Sequence, residues 1–424
     1  MSTSEQAGRS TRRVAVTGLG GICALGNDIP TIWQGLLDGR SGIARIAKFD
    51  PSRLPVQIAG EVKNFDPGQR LDLKAARRMD VFCQYALWSA VETVKDAGID
   101  FSREDPNRCG AIVGSGMGGI QIWESEHIKF LEKGPTRILP TLIPMMIPDI
   151  AAGQIAIQYK LRGPNFCTVS ACASGAHAIG ESFRLIKHGD ADVIICGGTE
   201  AAISEFTVGG FSNMQALSRR NDEPEKASRP FDKDRNGFVI AEGAGILLLE
   251  EMEHALKRGA KVYAEVVGYG ATGDGYHITA PAPEGAGAFE AMRIAIAEAG
   301  IGPEHVDYIN AHGTSTDLND LTETQAIKRL FGAHAAKLMV NSTKSMIGHL
   351  LGAAGAIEFV VTCLSVYHQK VHRTLNLEHP DTEMTLDYVP EGTRAVKITY
   401  GLSNSFGFGG HNCCLLARRL TADG

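Results

Sequence analysis

A cysteine near the middle of the chain has the surroundings that a thiol nucleophile needs. Cys172 lies in TVSACASGAHAIG, where a β-rich run ends at Ser170 and small residues then open a helix. A sulfur at a helix N-terminus is favoured as thiolate, and the free N–H groups there can hold a thioester oxygen as it becomes an oxyanion. Most free cysteines are small buried residues, and Cys167, Cys196 and Cys363 fit that description because each lies in an apolar run. We therefore take Cys172 as the candidate nucleophile.

Two histidines occupy positions that match the cysteine. His312 ends an apolar run (306–311) before Gly-Thr-Ser-Thr, and His349 lies at a second predicted strand–helix junction, five residues after Lys344. Open α/β sheets place their chemistry at the carboxyl ends of strands. A lone histidine is more often structural. However, Cys172, His312 and His349 all lie at predicted strand–helix junctions, which predicts that they share one site. A papain-like peptidase would pair one cysteine with one histidine and an orienting Asn or Asp, not with two histidines.

Glycine-rich segments could form either a nucleotide site or a mobile gate. GSGMGG (114–119) matches the dinucleotide pattern GxGxxG after a strand, but the acidic residue expected about twenty positions later is absent. VTGLGG (16–21) lacks the final glycine of the pattern, so nucleotide binding is not predicted. The loop SNSFGFGGHN (403–412) is a stronger functional candidate, because its two phenylalanines between glycines could swing as a gate.

Strands and helices alternate along the chain and must position these residues. The predicted strands are 13–20, 110–116, 166–172, 193–198 and 243–250, and the predicted helices are 74–97, 172–188, 283–299 and 349–368. Alternation of this kind predicts an α/β fold with largely parallel, buried strands. His349 follows Cys172 by 177 residues (349 − 172) in a similar strand–turn–helix unit, which leaves both duplication and chance open. The polar segment 218–237 predicts a long surface excursion.

Composition limits the class of protein. The 424 residues are 44% hydrophobic and 21% charged, as in ordinary globular proteins, and the net charge of −6 disfavours nucleic acid as a partner. Nine cysteines without a CxxC pair favour free thiols in a reducing cytosol, so we expect a cytoplasmic protein. The polar residues 1–12 predict a disordered tail rather than a signal peptide, and no apolar run is long enough to predict a membrane span.

Four motifs occur together in an order that resembles one enzyme family. They are VSACASG around Cys172, NAHGTSTxxxD from Asn310 to Asp320, STKSMIGHLLGAAGAIE from Ser342 to Glu358, and NSFGFGG from Asn404 to Gly410. The chain resembles the elongating β-ketoacyl-acyl-carrier-protein (ACP) synthases, most closely type II (the FabF class), in the thiolase-like superfamily. The resemblance implies a five-layered αβαβα sandwich of two similar halves. We assign residues 13–260 to the half with the nucleophile and 261–420 to the half with the histidines.

The resemblance implies a decarboxylative Claisen condensation. Cys172 takes an acyl group from acyl-ACP as a thioester, and His312 and His349 assist the loss of CO₂ from malonyl-ACP and stabilise the resulting enolate. The enolate attacks the thioester and yields a 3-oxoacyl-ACP that is two carbons longer. Lys344 supports the site, and Phe408 gates it and shares an oxyanion hole with Cys172. No metal or other cofactor is implied, because the substrates are carried on the phosphopantetheine of ACP.

Further residues match the family by position. The implied substrate contacts are Thr314, Thr316, Thr279, Met117, Phe211 and Phe406, and the implied supporting acids are Glu323, Glu358 and Asp320. Carrier proteins are acidic, so the enzyme needs a basic docking patch even though its net charge is negative. The candidates for that patch are Lys74, Arg77, Arg78, Arg219 and Arg220. The resemblance also implies a homodimer.

Related enzymes with other functions differ at the site. Initiating condensing enzymes pair the cysteine with histidine and asparagine, and thiolases use a second cysteine, whereas this chain has two histidines. Non-catalytic chain-length subunits replace the nucleophile, whereas Cys172 is present here. A ketosynthase of a secondary-metabolite pathway remains the alternative, because its motifs are the same. Met117 and His411 depart from common family residues, which leaves the preferred acyl length open.

Overall fold

The computed structural model describes residues 12–420. The predicted disordered tail, 1–12, lies outside the described residues except for Arg12, whose guanidinium pairs with Asp192 at 2.6 Å. The strands are β1 (Val14–Ile22), β2 (Ala44–Arg45), β3 (Ile58–Ala59), β4 (Cys109–Gly114), β5 (Asn165–Phe166), β6 (Val193–Glu200), β7 (Gly243–Glu251), β8 (Ala264–Gly273), β9 (Tyr308–Asn310), β10 (Met339–Asn341), β11 (Lys370–Val371), β12 (Arg394–Ala395), β13 (Tyr400–Gly407) and β14 (His411–Arg418). The helices are α1 (Ile29–Leu37), α2 (Leu73–Ala76), α3 (Val81–Ala97), α4 (Ile120–Lys133), α5 (Leu142–Met146), α6 (Ile150–Tyr159), α7 (Ser174–Lys187), α8 (Glu205–Asn213), α9 (Met252–Lys257), α10 (Ala286–Glu298), α11 (Asp317–Phe331), α12 (Lys344–Ile347) and α13 (Ala354–His368).

The main sheet has ten strands and consists of two similar halves. One half has the order β5-β4-β6-β7-β1, and the other has the order β10-β9-β13-β14-β8. Strand directions repeat as well, because β5, β4 and β6 are parallel in the first half, as are β10, β9 and β13 in the second. The halves join where residues 14–16 of β1 pair with 264–266 of β8. This repetition gives the similar C-terminal edges from which the two halves present their functional residues.

Two helices form the layer between the halves. Helix α7 packs against β4 and β6, α13 packs against β13 and β7, and the two helices contact each other. Small residues permit this contact, because a Cβ on Gly175 would lie 2.8 Å from the Cβ of Ala356. Helices α3 and α6 cover the outer face of the first half, and α10 with α11 covers that of the second. The five layers are those predicted for a thiolase-like sandwich.

Two predictions about the strands are wrong. The sheet is mixed rather than largely parallel, because β1, β7, β8 and β14 run antiparallel to their neighbours. Strands buried on both faces give the same continuous apolar pattern in either direction, so the sequence could not distinguish them. The predicted strand 166–172 is also largely absent, since β5 ends at Phe166 and a short 3-10 turn occupies 171–173.

Two further predictions need correction. The predicted helix 74–97 is broken, because α2 ends at Ala76 and α3 begins after Asp80, whose side chain accepts the N–H of Phe82. The predicted surface excursion, 218–237, is exposed mainly before residue 227, and residues 227–232 are buried. Arg229 is buried there because Asp232 neutralises it at 2.9 Å.

The segment Leu351–His368 is long and apolar enough to cross a membrane by length and composition. Within the fold, however, 89% of that segment is buried, as expected for the core helix that α13 forms. Its apolar character is therefore explained by packing between the two halves of the sheet.

Candidate active site

The nucleophile candidate is held by a tight turn at the start of α7. Ala171 adopts the left-handed conformation with φ +50°, and the hydroxyl of Ser174 donates to the carbonyl of Ala171 at 2.7 Å. Ser170 in turn donates its N–H to the Ser174 hydroxyl at 2.9 Å. The turn points Cys172 toward the loop after β13, where the backbone N–H of Phe408 donates to its sulfur. Cys172 therefore sits at the helix N-terminus that the sequence predicts.

Opposing influences act on the protonation of the Cys172 thiol. Burial raises the pKa of its thiol to about 12, although the nearby Lys344 charge and the Phe408 N–H act in the opposite direction. Desolvation therefore opposes the thiolate that the helix terminus favours. The sulfur must lose its proton to a base when it attacks a thioester.

His312 follows β9 by two residues and is fixed through its backbone. Its N–H donates to Oε1 of Glu323 at 2.9 Å, and the next N–H, of Gly313, donates to Oε2 at 2.8 Å. The side chain of Asn404 donates to the same carboxylate at 3.0 Å. Glu323 is thus a buried acceptor that joins the His312 turn to β13, which carries the gate loop.

A buried ion pair lies behind His312. Nζ of Lys344 is 2.5 Å from Oε1 of Glu358 and 3.3 Å from Nδ1 of His312. Both members of the pair are 1% exposed. Burial first, and then the Lys344 charge, hold the pKa of His312 and of His349 well below the usual range. Both imidazoles are therefore neutral, and each can donate one N–H and accept at the other nitrogen.

His349 does not directly follow a strand as predicted but lies between α12 and α13. Its backbone bonds to the segment before β7, donating to the carbonyl of Val239 at 2.8 Å and accepting from Ala241 at 2.9 Å. Its ring lies edge-on to that of His312, with centroids 5.4 Å apart. The rings of Phe238 and His349 are also nearly perpendicular, with centroids 5.2 Å apart. The two histidines thus converge from different parts of the C-terminal half.

A cavity of about 460 Å³ brings the predicted residues together. Those that line it are Cys172, His312, His349, Phe408, Thr314, Thr316, Thr279, Met117, Phe211, Phe406 and Glu323. Lys344 and Glu358 lie behind the wall, as supporting residues would. Asp320 also lies outside the cavity, where its carboxylate accepts the N–H of Phe231 at 2.9 Å. At the polar end, the hydroxyls of Thr314 and Thr316 are 2.9 Å apart.

The predicted docking residues do not lie in the cavity. Lys74, Arg77, Arg78 and Arg219 are exposed, and no ion pair joins them to another residue within 12–420. Arg220 is half-buried, and it pairs weakly with Glu223 at 3.9 Å. The first four side chains are therefore available to an acidic partner, whereas Arg220 is partly engaged by its own chain.

One set of possible metal ligands lies away from the cavity. Ligand atoms of Asp232, Asp234 and His379 all lie within 4.8 Å of one another. Asp232 already accepts the N–H of His379 at 2.7 Å, and Asp234 bonds to Nδ1 of the same histidine at 2.6 Å. These contacts satisfy the three residues without an ion.

Sequence reasoning missed several residues of the cavity wall, among them a buried acid. Glu200 ends β6 and is fully buried, and its carboxylate accepts hydrogen bonds from the glycine-rich loop after β4. The available signal was an acidic residue directly after the apolar run VIICGGT, which is costly to bury unless several donors surround it.

The fold is that of known ketosynthases. A β-ketoacyl synthase from Burkholderia phymatum STM815 superposes with a TM-score of 0.90 at 35% identity, covering 97% of this chain and 100% of that one. A ketosynthase solved with its type II polyketide acyl-carrier protein and bound to a hexaketide also gives 0.90, at 32% identity and the same coverages. This likeness confirms the predicted thiolase-like fold.

The family is shown by sequence as well. Residues 11–255 match the description "Beta-ketoacyl synthase, N-terminal domain", and residues 263–378 match "Beta-ketoacyl synthase, C-terminal domain". The chain belongs to the beta-ketoacyl synthase family. The 3-oxoacyl-[acyl-carrier-protein] synthase 2 of Synechocystis sp. (strain ATCC 27184 / PCC 6803 / Kazusa) is 52% identical over 408 residues, which are 96% of this chain and 98% of that protein. The predicted membership of the type II class is thereby confirmed.

Proposed function

We propose that this protein is a 3-oxoacyl-ACP synthase that elongates fatty acids by decarboxylative condensation. The observation that carries the proposal is the convergence of Cys172, His312 and His349 on one cavity. The buried pair of Lys344 and Glu358 supports that cavity from behind. Relatives about half identical over nearly the whole chain are named for the same reaction.

The first step transfers the acyl group to the enzyme. The Cys172 thiol attacks the acyl-ACP thioester while a neutral imidazole at the site accepts its proton. The imidazolium then returns that proton to the leaving sulfur, so ACP departs as its free thiol and the imidazole is neutral again. Because the Phe408 N–H already faces the sulfur, it can donate to the thioester oxygen together with the N–H of Cys172. The two donors stabilise the oxyanion, and Phe408 is placed on the loop that would gate access.

The second step uses the two histidines as donors. When malonyl-ACP loses CO₂, the electron pair of the broken bond forms an enolate whose charge lies on the thioester oxygen. Neutral imidazoles of His312 and His349 donate N–H to that oxygen, and each such donor contributes about 3 kcal/mol. The enolate carbon then attacks the acyl carbonyl, the bond to Cys172 breaks, and the released sulfur takes up a proton. We propose no metal or other cofactor for these steps.

We propose that acyl-carrier protein docks on the exposed basic residues near α2. Changing Arg77 and Arg78 together to Glu should raise KM for carrier-linked substrates without changing kcat, because docking precedes chemistry. Arg103 is exposed on another part of the surface, so Arg103→Glu is the matched control. An unchanged KM in the Arg77/Arg78 variant would refute this docking site.

We propose a cytoplasmic homodimer. Strand β5 forms an edge of the sheet, and apolar side chains near it, including Ile157, Phe166 and Val169, are exposed. An open edge beside an apolar patch favours pairing with a second copy. Val169→Asp should therefore shift the mass measured by light scattering from dimer to monomer, and a wild-type monomer would refute the proposal.

A secondary-metabolite ketosynthase is the second candidate, since a polyketide enzyme shares the fold at 32% identity. The 52% identity to a 3-oxoacyl-ACP synthase favours fatty-acid elongation. Turnover of saturated acyl-ACP with malonyl-ACP tests the choice. Repeated addition of unreduced units to a single chain, without use of saturated acyl-ACP, would support the second candidate.

A further inference from the structure

The glycine-rich loop after β4 surrounds a carboxylate of the protein itself. Oε2 of Glu200 accepts the N–H of Gly116 at 2.8 Å and that of Gly352 at 2.9 Å. Oε1 accepts the hydroxyl of Ser115 at 2.9 Å and the N–H of Met117 at 3.1 Å. Consecutive backbone N–H groups of this kind form anion-binding concavities. The GSGMGG sequence, which resembles a nucleotide motif, thus binds an internal anion.

Gly116 and Gly352, which both bond to this carboxylate, lie too close to it to carry a side chain. A Cβ on Gly116 would lie 2.9 Å from Oε2 of Glu200, and a Cβ on Gly352 would lie 2.6 Å from the same oxygen. The second would also lie 2.3 Å from the nitrogen of Gly116. Glu200 therefore holds together two backbone segments that side chains would separate.

The far end of the same loop is fixed by a second buried carboxylate. Asp80 is 4% exposed, and its Oδ2 accepts the N–H of Ile122 in the first turn of α4 at 2.8 Å. Gly119, which precedes α4, offers no side chain to cap the helix, so Asp80 serves as the acceptor. Met117 lies between the two fixed points and lines the cavity with Cys172.

We propose that Glu200 is a positioning residue that determines which acyl lengths the cavity accepts. It fixes the backbone of Met117 against that of Gly352, three residues after His349, and both residues line the cavity. The position of Met117 in the cavity wall therefore depends on the four hydrogen bonds of Glu200. This inference rests on the proposed condensing function. One methylene of pocket depth changes discrimination by about tenfold or more.

The test compares acyl-length profiles of folded variants. Glu200→Gln turns an NH₂ donor toward backbone donors, so the loop is released and the ratio of kcat/KM for long and short saturated acyl-ACP should change by about tenfold. Glu250→Gln is the matched control. Glu250 is also fully buried, and it bonds to Thr17 and Arg258. It lies in β7, at the end of that strand far from Glu200. Glu250→Gln should lower stability and keep the ratio.

Ser115→Ala removes one of the four donors to Glu200, so it should shift the ratio of kcat/KM for long and short acyl-ACP in the same direction by a smaller factor. If Glu200→Gln does not fold, Ser115→Ala alone is the test. An unchanged ratio in the folded Glu200 variant, or in Ser115→Ala when only that variant folds, overturns the inference. Equal shifts in the Glu250 control also overturn it, because loosened packing would then explain the effect. If the wild type accepts no acyl chain, the proposed function fails and this inference fails with it.

Discussion

Replacing Glu358 by Gln should leave a buried ammonium without its counter-charge. Both Glu358 and Lys344 are 1% exposed, so breaking the pair should cost about 3–5 kcal/mol. For a chain of 424 residues the unfolding entropy is about 0.9 kcal/mol/K, which converts that loss to a fall of about 3–6 °C in the melting midpoint. Lys344→Met should cost less. Burial already raises the pKa of Glu358 to about 7 despite the lysine, so the carboxyl can become neutral.

The double variant Lys344→Met/Glu358→Leu separates stability from chemistry. Apolar replacement of a buried pair is often neutral, so its midpoint should return near that of the wild type. Its malonyl-ACP decarboxylation should nevertheless stay about 10²–10³ slower, because His312 loses the contact at Nδ1. Glu242→Gln, which breaks the pair with Lys48, is the control that loses stability and keeps the rate. Wild-type decarboxylation by the double variant would refute a role for Lys344 in the chemistry.

Two further predictions concern stability. His254 bonds to Glu250 at 2.6 Å and to Glu104 at 2.9 Å. Burial lowers the pKa of His254, but these partners raise it above 6.5 overall, so its contribution to stability is present below about pH 6.5 and is lost as pH rises through the folded pKa. His254→Gln should lower the melting midpoint at about pH 6 and much less at about pH 9, and equal losses would contradict this. Gly175→Ala should lower the free energy of unfolding by about 1–3 kcal/mol, because its Cβ would lie 2.8 Å from that of Ala356. Gly210→Ala is the control, because a Cβ there would meet no atom within 4 Å, and it should leave the denaturant midpoint unchanged.

The candidate site could be predicted from the sequence where chemistry and local pattern coincide. Cys172 and His312 lie at junctions that apolar runs and glycines mark, and both line the cavity. The supporting roles of Lys344 and Glu358 were implied only by the family resemblance, because no local pattern reports a contact between a short helix and the helix that follows it. The structure gives that contact at 2.5 Å.

Most of the features that the sequence analysis missed depend on tertiary contacts. Strand direction is not encoded in runs buried on both faces, so the antiparallel strands β7 and β14 were not foreseen. The break before α3 had a readable signal, since Asp80 precedes an apolar run as a helix cap would. The apolar run before Glu200 could have signalled a buried acid, but no local pattern signalled its role. Its donors come from residues 115–117 and 352, which are far apart in the chain.

The most direct test of the central claim is the intact mass of wild-type protein and of Cys172→Ala. Each is incubated with a saturated acyl-ACP and then with malonyl-ACP. The wild type should gain the acyl mass and lose it as 3-oxoacyl-ACP appears, and the variant should do neither. If the wild type never acylates across several chain lengths, or if Cys172→Ala acylates equally, Cys172 is not the nucleophile of a fatty-acid elongating synthase.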